Sequence, residues 1–184
     1  MRCAWCSSQF AGRADARYCS GRCRVAAHRA EVPDELKRRE RWLRHDSKRP
    51  ITVTGAPASS TNCRTWTTYD RADSSSVGDG LGFALGDGVA CIDLDHCLTD
   101  GVLADWAQPI VAACRGTYME VSPSGEGLHI FGLAEVGQGH RRNGVEVYDR
   151  GRYMTVTKRR FRRAPLVLRD LQAVIDGLIQ PVAA

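Results

Sequence analysis

One apolar segment near the middle of the chain ends in two carboxylates, and it restricts the possible folds more than any other feature. Residues 89–95 read Val-Ala-Cys-Ile-Asp-Leu-Asp. Side chains two residues apart in a β-strand lie on the same face, so Asp93 and Asp95 are predicted to lie side by side at a strand end. At about 4 Å and an effective dielectric constant near 20, two like charges repel by roughly 4 kcal/mol, and bound Mg²⁺ or Mn²⁺ removes that repulsion. The alternative is an acidic strand end that faces water.

The composition suits one main domain with a small appendage. The chain has 184 residues, 43% of them hydrophobic, and a formal net charge of +5. Basic residues gather in the first 50 positions and in residues 158–163, whereas acidic residues concentrate between Asp87 and Asp105. Basic flanks around an acidic centre are typical of a protein that holds a polyanion over a metal site. Because no segment has the length of a membrane span or the pattern of a secretory signal, we expect a cytoplasmic protein without membrane contacts.

Four of the eight cysteines form two close pairs at the amino terminus. Cys3 and Cys6 are separated by two residues, and Cys19 and Cys23 by three. In a reducing compartment this spacing predicts a structural zinc ribbon over residues 1–30, in which four thiolates complete a tetrahedral shell. His28 could compete as a ligand, or it could continue a basic helix.

The arginines of this segment leave two interpretations open. Zinc could simply hold the terminus together, or the ribbon could contact a phosphate backbone through its arginine side chains. The arginines concerned are Arg13, Arg17, Arg22, Arg24 and Arg29.

The rest of the chain predicts a charged linker helix over residues 31–47 and a catalytic domain over residues 48–184. Alternation and turn signals predict strands at 81–85 and 89–94, joined as a hairpin by Gly86-Asp87-Gly88, and four further strands at 117–121, 128–132, 145–148 and 153–157. A helix is expected through residues 106–114, kinked or started late by Pro109, and a final helix over residues 168–179. The fold class is therefore α/β in the broad sense and α+β more specifically.

Two further features could complete a site around the aspartates. The glycine-rich stretch Ser124-Gly125-Glu126-Gly127 allows close approach to an anion and precedes His129 in the next strand. His129 is expected to point away from the core side chains. Glu146 lies between apolar residues of another strand and would supply a third carboxylate, enough to hold two divalent ions with positions left for phosphate.

Taken in order, these motifs resemble motifs I, II and III of the archaeo-eukaryotic primase superfamily, and more specifically the primase-polymerase domains of phages and plasmids. The motifs are Asp93-Leu94-Asp95, Ser124-x4-His129 and Glu146. The resemblance extends over about residues 42–157 and includes Lys48-Arg49-Pro50, residues 66–72, 82–85 and 92–97, and residues 151–157.

The resemblance implies a fold and a set of residue roles. The fold would be a primase-polymerase core of mixed β-sheet with flanking helices, behind the small zinc ribbon. Asp93, Asp95 and Glu146 would bind two Mg²⁺ or Mn²⁺ ions, with Asp149 as the alternative third acid. Residues that would contact the incoming dNTP or NTP are Ser124, Gly125, Gly127, His129 and Arg152. Lys158 departs from the family, which commonly has glycine after Thr-Val-Thr.

The implied activity is that of a DNA primase and polymerase acting in phage or plasmid replication on a single-stranded DNA template. A replicative helicase would act as a separate protein. The basic residues at the end of the site would contact template or primer, or they could form an ordinary solvated surface: Lys158, Arg159, Arg160, Arg162 and Arg163. Two other classes remain open, a zinc-dependent DNA-binding replication protein without catalysis and a metal-dependent nuclease.

Overall fold

A computed structural model describes residues 1–3, 5, 8–13, 15–28 and 31–180 of the chain. It shows an α+β fold, as predicted. The helices are α1 to α5, in order Gly21–His28, Asp34–Lys37, Tyr69–Ser74, Gln108–Ala113 and Gln172–Ile179. No helix in these described ranges is both long and apolar enough to cross a membrane.

The first sheet has four strands in the order β11-β3-β1-β2, and every pairing in it is antiparallel. In chain order its strands are Trp42–Asp46 (β1), Arg49–Ile51 (β2), Gly80–Ala84 (β3) and Tyr153–Val156 (β11). The carboxyl-terminal strand β11 therefore lies beside β3, and so the first and last parts of the domain meet in one sheet.

The second sheet has five strands in the order β7-β8-β4-β10-β9, again all antiparallel. Its strands are Val89–Leu94 (β4), Met119–Val121 (β7), Leu128–Leu133 (β8), His140–Arg142 (β9) and Val145–Tyr148 (β10). A small two-stranded sheet, Leu98–Thr99 (β5) with Val102–Leu103 (β6), follows β4. The mixed β-sheet implied by the resemblance is seen here as antiparallel sheets.

Both faces of the five-stranded sheet are buried. On one face Ile92 and Ile130 pack with residues of the helical layer such as Ile175. On the other face Phe131 packs with Trp42 and with other residues of the four-stranded sheet. The expectation that His129 points away from the core is therefore wrong, because His129 is buried and lies on the same face of the sheet as Phe131, which is fully buried between the two sheets.

The predicted linker helix over residues 31–47 is also wrong. Only Asp34–Lys37 is helical there, and Trp42–Asp46 is a strand of the four-stranded sheet. The charges of this strand do not mark a solvated helix, because the guanidinium of Arg44 is buried and donates to the carbonyl oxygens of Val77, Ala72 and Gly78. The main domain consequently starts before residue 48.

The predicted hairpin across Gly86-Asp87-Gly88 does not form. Strand β3 pairs with β1 and β11, whereas β4 pairs with β8 and β10. The turn carries the chain from one sheet to the other, and it keeps only the isolated bridge between Gly86 and Val89. The predicted late start of the helix at Pro109 is confirmed, since proline occupies the first turn of α4.

Candidate active site

A row of polar side chains crosses the whole five-stranded sheet. The strand register sets Glu120 opposite His129, His129 opposite Asp93, Asp93 opposite Glu146, and Glu146 opposite Arg141. Directly opposed residues of antiparallel strands lie on the same face. The register therefore gathers Asp93, His129 and Glu146 on one face, although they are 17 or more positions apart in the sequence.

Asp93 lies at the centre of this row. Its side chain is 19% exposed, and Oδ1 is buried with no hydrogen-bond partner among the described residues. Burial raises the pKa of Asp93, and the negative charges of Asp95 and Glu146 raise it further, against the lowering effects of His129 and Lys48. A half-buried carboxylate that has one oxygen without a hydrogen bond and acids beside it is poorly stabilised, and a bound cation would relieve the repulsion.

Asp95 does not belong to strand β4, which ends at Leu94. It begins the turn that follows the strand, and its backbone N–H donates to the Gly144 carbonyl at 2.8 Å. The side chain is half-buried, close enough for its charge to act on Asp93. The predicted pairing of the two aspartates therefore depends on a turn as well as on the strand.

Glu146 is engaged at both carboxylate oxygens. Oε1 accepts from Arg141 Nε at 2.8 Å, and Oε2 accepts from the Tyr148 hydroxyl at 2.8 Å. Arg152 lies over the Tyr148 ring, with 4.9 Å from its guanidinium carbon to the ring centre. Arg152 is therefore connected to the acidic row through Tyr148, although it is exposed.

The donor set fits a hard divalent cation, because carboxylate oxygens are the ligands that Mg²⁺ and Mn²⁺ prefer. Asp93 Oδ1 is the strongest indication of a cation site, since a buried carboxylate oxygen normally accepts a hydrogen bond. Asp93, Asp95 and Glu146 are not all within 4.8 Å of one another in the described structure. Arg141 and Tyr148 hold the Glu146 carboxylate in its present place.

His129 is buried, and its two ring nitrogens face different surroundings. Nδ1 lies 3.0 Å from the Thr155 carbonyl oxygen and 3.4 Å from Glu120 Oε1, and Nε2 lies 3.8 Å from Asp93 Oδ1. Burial lowers the pKa of His129, but the interactions with Glu120, Asp93 and Thr155 outweigh this effect, and the pKa lies above its ordinary value. The surroundings therefore stabilise the protonated ring more than water does, which suits contact with an anion.

The glycine-rich segment forms a closed turn between β7 and β8. The N–H groups of Gly125 and Gly127 donate within the turn, to the Ser122 carbonyl at 3.0 Å and to Ser122 Oγ at 3.1 Å. The hydroxyls of Ser122 and Ser124 are 3.1 Å apart, and Ser124 is exposed. A side chain at Gly127 would meet the Leu94 carbonyl oxygen at 2.8 Å, so the turn packs closely on the end of β4. Both predicted amide donors are thus already occupied.

Lys48 and Glu120 lie near the site but were not predicted to be functional. Lys48 is exposed on the turn between β1 and β2, and its charge lowers the pKa of Asp93. Ser47 and Lys48 both have positive φ, 50° and 63°, which is the strained conformation of a type I′ turn built without glycine. Glu120 is fully buried behind His129. The signal for Glu120 was an acid between apolar strand residues, the same signal that identified Glu146.

Three of the four predicted zinc ligands lie together. The sulfur atoms of Cys3, Cys19 and Cys23 are within 4.8 Å of one another, and Cys19 Sγ is 3.5 Å from Cys23 Sγ. Ligands of a tetrahedral zinc–thiolate site lie about 3.8 Å apart, given Zn–S bonds of about 2.3 Å. Cys6 lies outside the described residues, as does the side chain of His28. The predicted basic helix is confirmed as α1.

The predicted basic segment does not form one continuous surface. Arg159 is half-buried and donates to the backbone oxygens of Trp5 and Ser122, so it joins the amino-terminal segment to the domain. Arg160, Arg162 and Arg163 are exposed. The last two line a cavity of about 790 Å³ beside α4.

A larger cavity of about 1310 Å³ lies between the cysteine segment and the domain. Its charged lining has more cationic than acidic side chains: Arg2, Arg17, Arg24, Arg44, Lys158 and Arg159 against Asp73 and Asp79. Thr157 and Lys158, which line it, donate their backbone N–H groups to Glu120. This cationic cavity is therefore separated from His129 by one side chain.

Comparison with known proteins gives one informative similarity. No family model matches the chain. A protein of Nitratiruptor phage NrS-1 named DNA primase-polymerase is 34% identical over 148 residues, which cover 69% of this chain and 20% of that protein. The chain thus spans about a fifth of the length of the curated relative. Over most of its length, the chain is similar to a phage DNA primase-polymerase.

Proposed function

We propose that the chain is the catalytic portion of a DNA primase-polymerase, which joins nucleotides on a single-stranded DNA template during phage or plasmid replication. The observation that carries this proposal is the row of Asp93, His129 and Glu146 on one face of the sheet. The similarity to the NrS-1 phage protein supports it independently. The substrates are a DNA template and dNTPs or NTPs, and a replicative helicase would be a separate partner.

Asp93, Asp95 and Glu146 would hold two Mg²⁺ or Mn²⁺ ions. The Asp93 oxygen without a hydrogen bond, and the repulsion of Asp93 by Asp95 and Glu146, support this assignment. When bound, such ions lower the pKa of a primer 3′-hydroxyl and neutralise triphosphate charge, as the attack on the α-phosphate and the departure of pyrophosphate require. Because Arg141 is 75% exposed and pairs with Glu146, its side chain can move aside at little cost.

Asp149 is a poorer third ligand than Glu146. Burial raises the pKa of Asp149, but hydrogen bonds from Arg150 and from the amides of Val136 and Gly137 outweigh it and hold the pKa below its ordinary value. A carboxylate with this many donors is already stabilised. Glu146, in contrast, lies directly opposite Asp93.

His129 would contact the triphosphate through Nε2, because Nδ1 faces Thr155 and Glu120. Ser124 and Arg152 would be further phosphate contacts, since both are exposed, Ser124 in the turn before β8 and Arg152 over the Tyr148 ring. Gly125 and Gly127 would serve mainly to shape the turn, because their N–H groups donate inside it.

The amino-terminal segment would hold one structural zinc ion through Cys3, Cys6, Cys19 and Cys23, and it would guide the template. The cationic cavity between this segment and the domain supports template contact, because phosphate groups bind where arginine and lysine side chains converge. We place the zinc ribbon at residues 1–30 and the catalytic domain from about residue 32, since Val32 and Leu36 already belong to its core.

An extension assay tests the proposed function. The zinc-loaded chain is incubated with labelled dNTPs or NTPs, Mn²⁺ and a single-stranded template, with and without a primer. We expect products longer than the input, and we expect Asp93→Asn to reduce their formation by at least about a thousandfold, because one central ligand is lost. Asp100→Asn is the matched control, since Asp100 is an exposed acid of the β5–β6 turn.

The other outcomes distinguish the competing functions. Shorter products that depend on Asp93 would indicate a nuclease. Template binding without any change of length would indicate a replication protein that binds DNA without catalysis. Either result contradicts the proposed function.

A further inference from the structure

Glu120 is a charged residue buried in the middle of strand β7, with no exposed surface. An acid in such a place is strongly destabilising unless donors surround it. It is neither a metal ligand nor a nucleotide contact in the proposed function. The surroundings of its carboxylate show what else it can do.

Donors from three elements surround the Glu120 carboxylate. The Tyr118 hydroxyl donates to Oε2 at 2.7 Å, the Thr157 N–H donates to Oε1 at 2.9 Å, and the Lys158 N–H donates to Oε2 at 3.0 Å. His129 Nδ1 lies 3.4 Å from Oε1. One carboxylate thus connects β7, the histidine of β8 and the segment that leaves β11.

The backbone at residues 157–158 is shaped to receive this carboxylate. Lys158 has φ of 59°, in the left-handed region that disfavours side chains other than glycine. Successive N–H groups that converge at such a turn form an anion-binding concavity. The strain at Lys158 accompanies two hydrogen bonds to Glu120.

The same geometry determines which nitrogen of His129 faces the site. Nδ1 faces two acceptors, the Thr155 carbonyl and Glu120 Oε1, so it carries a hydrogen. Nε2 points to the acidic row, where its separation from Asp93 is too long for a hydrogen bond. Contacts at Nδ1 therefore fix the imidazole, while Nε2 faces the acidic row.

We propose that Glu120 is the positioning residue for His129: it fixes the imidazole with Nε2 toward the nucleotide and anchors residues 157–158 with the same carboxylate. This inference rests on the proposed function only in assigning a nucleotide to the Nε2 side. The orientation of the ring itself is a property of the folded chain.

The first test needs no activity. The zinc-loaded full chain is labelled with ¹⁵N-histidine and examined by NMR at one fixed pH, with His129 assigned by the loss of its signals in His129→Gln. Glu120→Gln should shift the His129 ring signals and speed exchange of the Nδ1 proton with water. Glu126→Gln is the matched control, because the exposed Glu126 pairs with His96 Nδ1 at 3.1 Å and should shift the His96 signals alone.

The second test separates positioning from a merely structural role. Glu120→Gln should raise the KM for nucleotide about tenfold in the extension assay and change kcat less. In a His129→Ala background, Glu120→Gln should have almost no additional effect on KM, because a positioning residue has nothing left to position. Additive effects of the two changes overturn the proposal.

The outcomes remain distinguishable if a variant or the proposed function fails. Should Glu120→Gln not fold, Tyr118→Phe keeps the ring and removes one donor to Glu120, and the His129 signals should then move by a smaller amount. Unchanged His129 signals in the variant that folds overturn the proposal. If the wild-type chain extends no primer while Glu120→Gln still shifts His129, the proposed function fails and the positioning role stands.

Discussion

The two candidate metal sites of this chain are built in opposite ways. The acidic row lies on hydrogen-bonded strands, where register fixes Asp93 opposite both His129 and Glu146. The cysteine cluster joins one short turn around Cys3 to α1, and of its described cysteines only Cys3 is buried. Strand pairing thus sets the relative positions of the acidic row, whereas we expect the short amino-terminal segment to depend on a bound metal for its stability.

Of the effects predicted here, those of zinc removal on the amino-terminal segment should be the largest. Cys19→Ser should unfold the amino-terminal segment, leave the domain folded, and weaken template binding at least about tenfold, with a smaller salt dependence because phosphate contacts are lost. Extension of a saturating primed template should change little. Zinc content, limited proteolysis and template binding over a salt series measure these effects.

Cys63→Ser is the control for that experiment, because Cys63 is exposed and lies outside the cluster. The interpretation fails if the wild-type chain contains no zinc. It also fails if Cys19→Ser binds template as tightly as the wild-type chain at every salt concentration.

Lys48→Met, in the turn between β1 and β2, should have an intermediate effect on nucleotide binding. Removing a cation whose charge reaches Asp93 should raise the KM for nucleotide about three- to tenfold, because triphosphate loses one attractive charge. Steady-state extension kinetics measure this change. Arg38→Met, which removes an exposed charge at the end of α2, should leave KM unaltered.

The smallest expected effect is on stability and its pH dependence. The pKa of Asp93 in the folded chain is raised above its ordinary value of 3.8, so ionisation of this carboxyl opposes folding. Stability is therefore lost as the pH rises from 3.8 through the raised pKa of Asp93. Without Mg²⁺ or Mn²⁺, Asp93→Asn should therefore be more stable than wild type at pH 7, by about 1 kcal/mol or about 2–4 °C in Tm.

Thermal unfolding of the zinc-loaded proteins from pH 3 to 8 measures this difference. The gain should vanish at the acid end, where wild-type Asp93 is protonated. A variant less stable than wild type at pH 7 would show that Asp93 is already stabilised within the chain, contrary to the account.

The sequence predicted the local elements of the site well. The bounds of β4 and β10 agree with the prediction, because β4 is a continuous apolar run that ends beside an acid and a turn, whereas β10 alternates apolar residues with Glu146. The departure from the family at Lys158 also has a structural meaning, since its positive φ is the conformation that glycine adopts most easily.

Long-range pairing could not be predicted in the same way. The turn at residues 86–88 has the composition of a hairpin, but partners distant in sequence decided that β3 and β4 belong to different sheets. Strand β1 was missed because its charged residues suggested solvent, whereas the buried guanidinium of Arg44 donates hydrogen bonds to backbone carbonyl oxygens. Glu120 likewise acquires its place behind His129 only through register.

Direct measurement of Mn²⁺ binding tests whether the acidic row around Asp93 binds divalent cations. The zinc-loaded wild-type chain, Asp93→Asn and Asp100→Asn are titrated with Mn²⁺, and free Mn²⁺ is followed by electron paramagnetic resonance with and without dNTP. We expect wild type and Asp100→Asn to bind Mn²⁺ alike. We expect Asp93→Asn to remain folded and to bind Mn²⁺ at least about tenfold more weakly. Equal Mn²⁺ binding by Asp93→Asn and wild type would contradict this expectation.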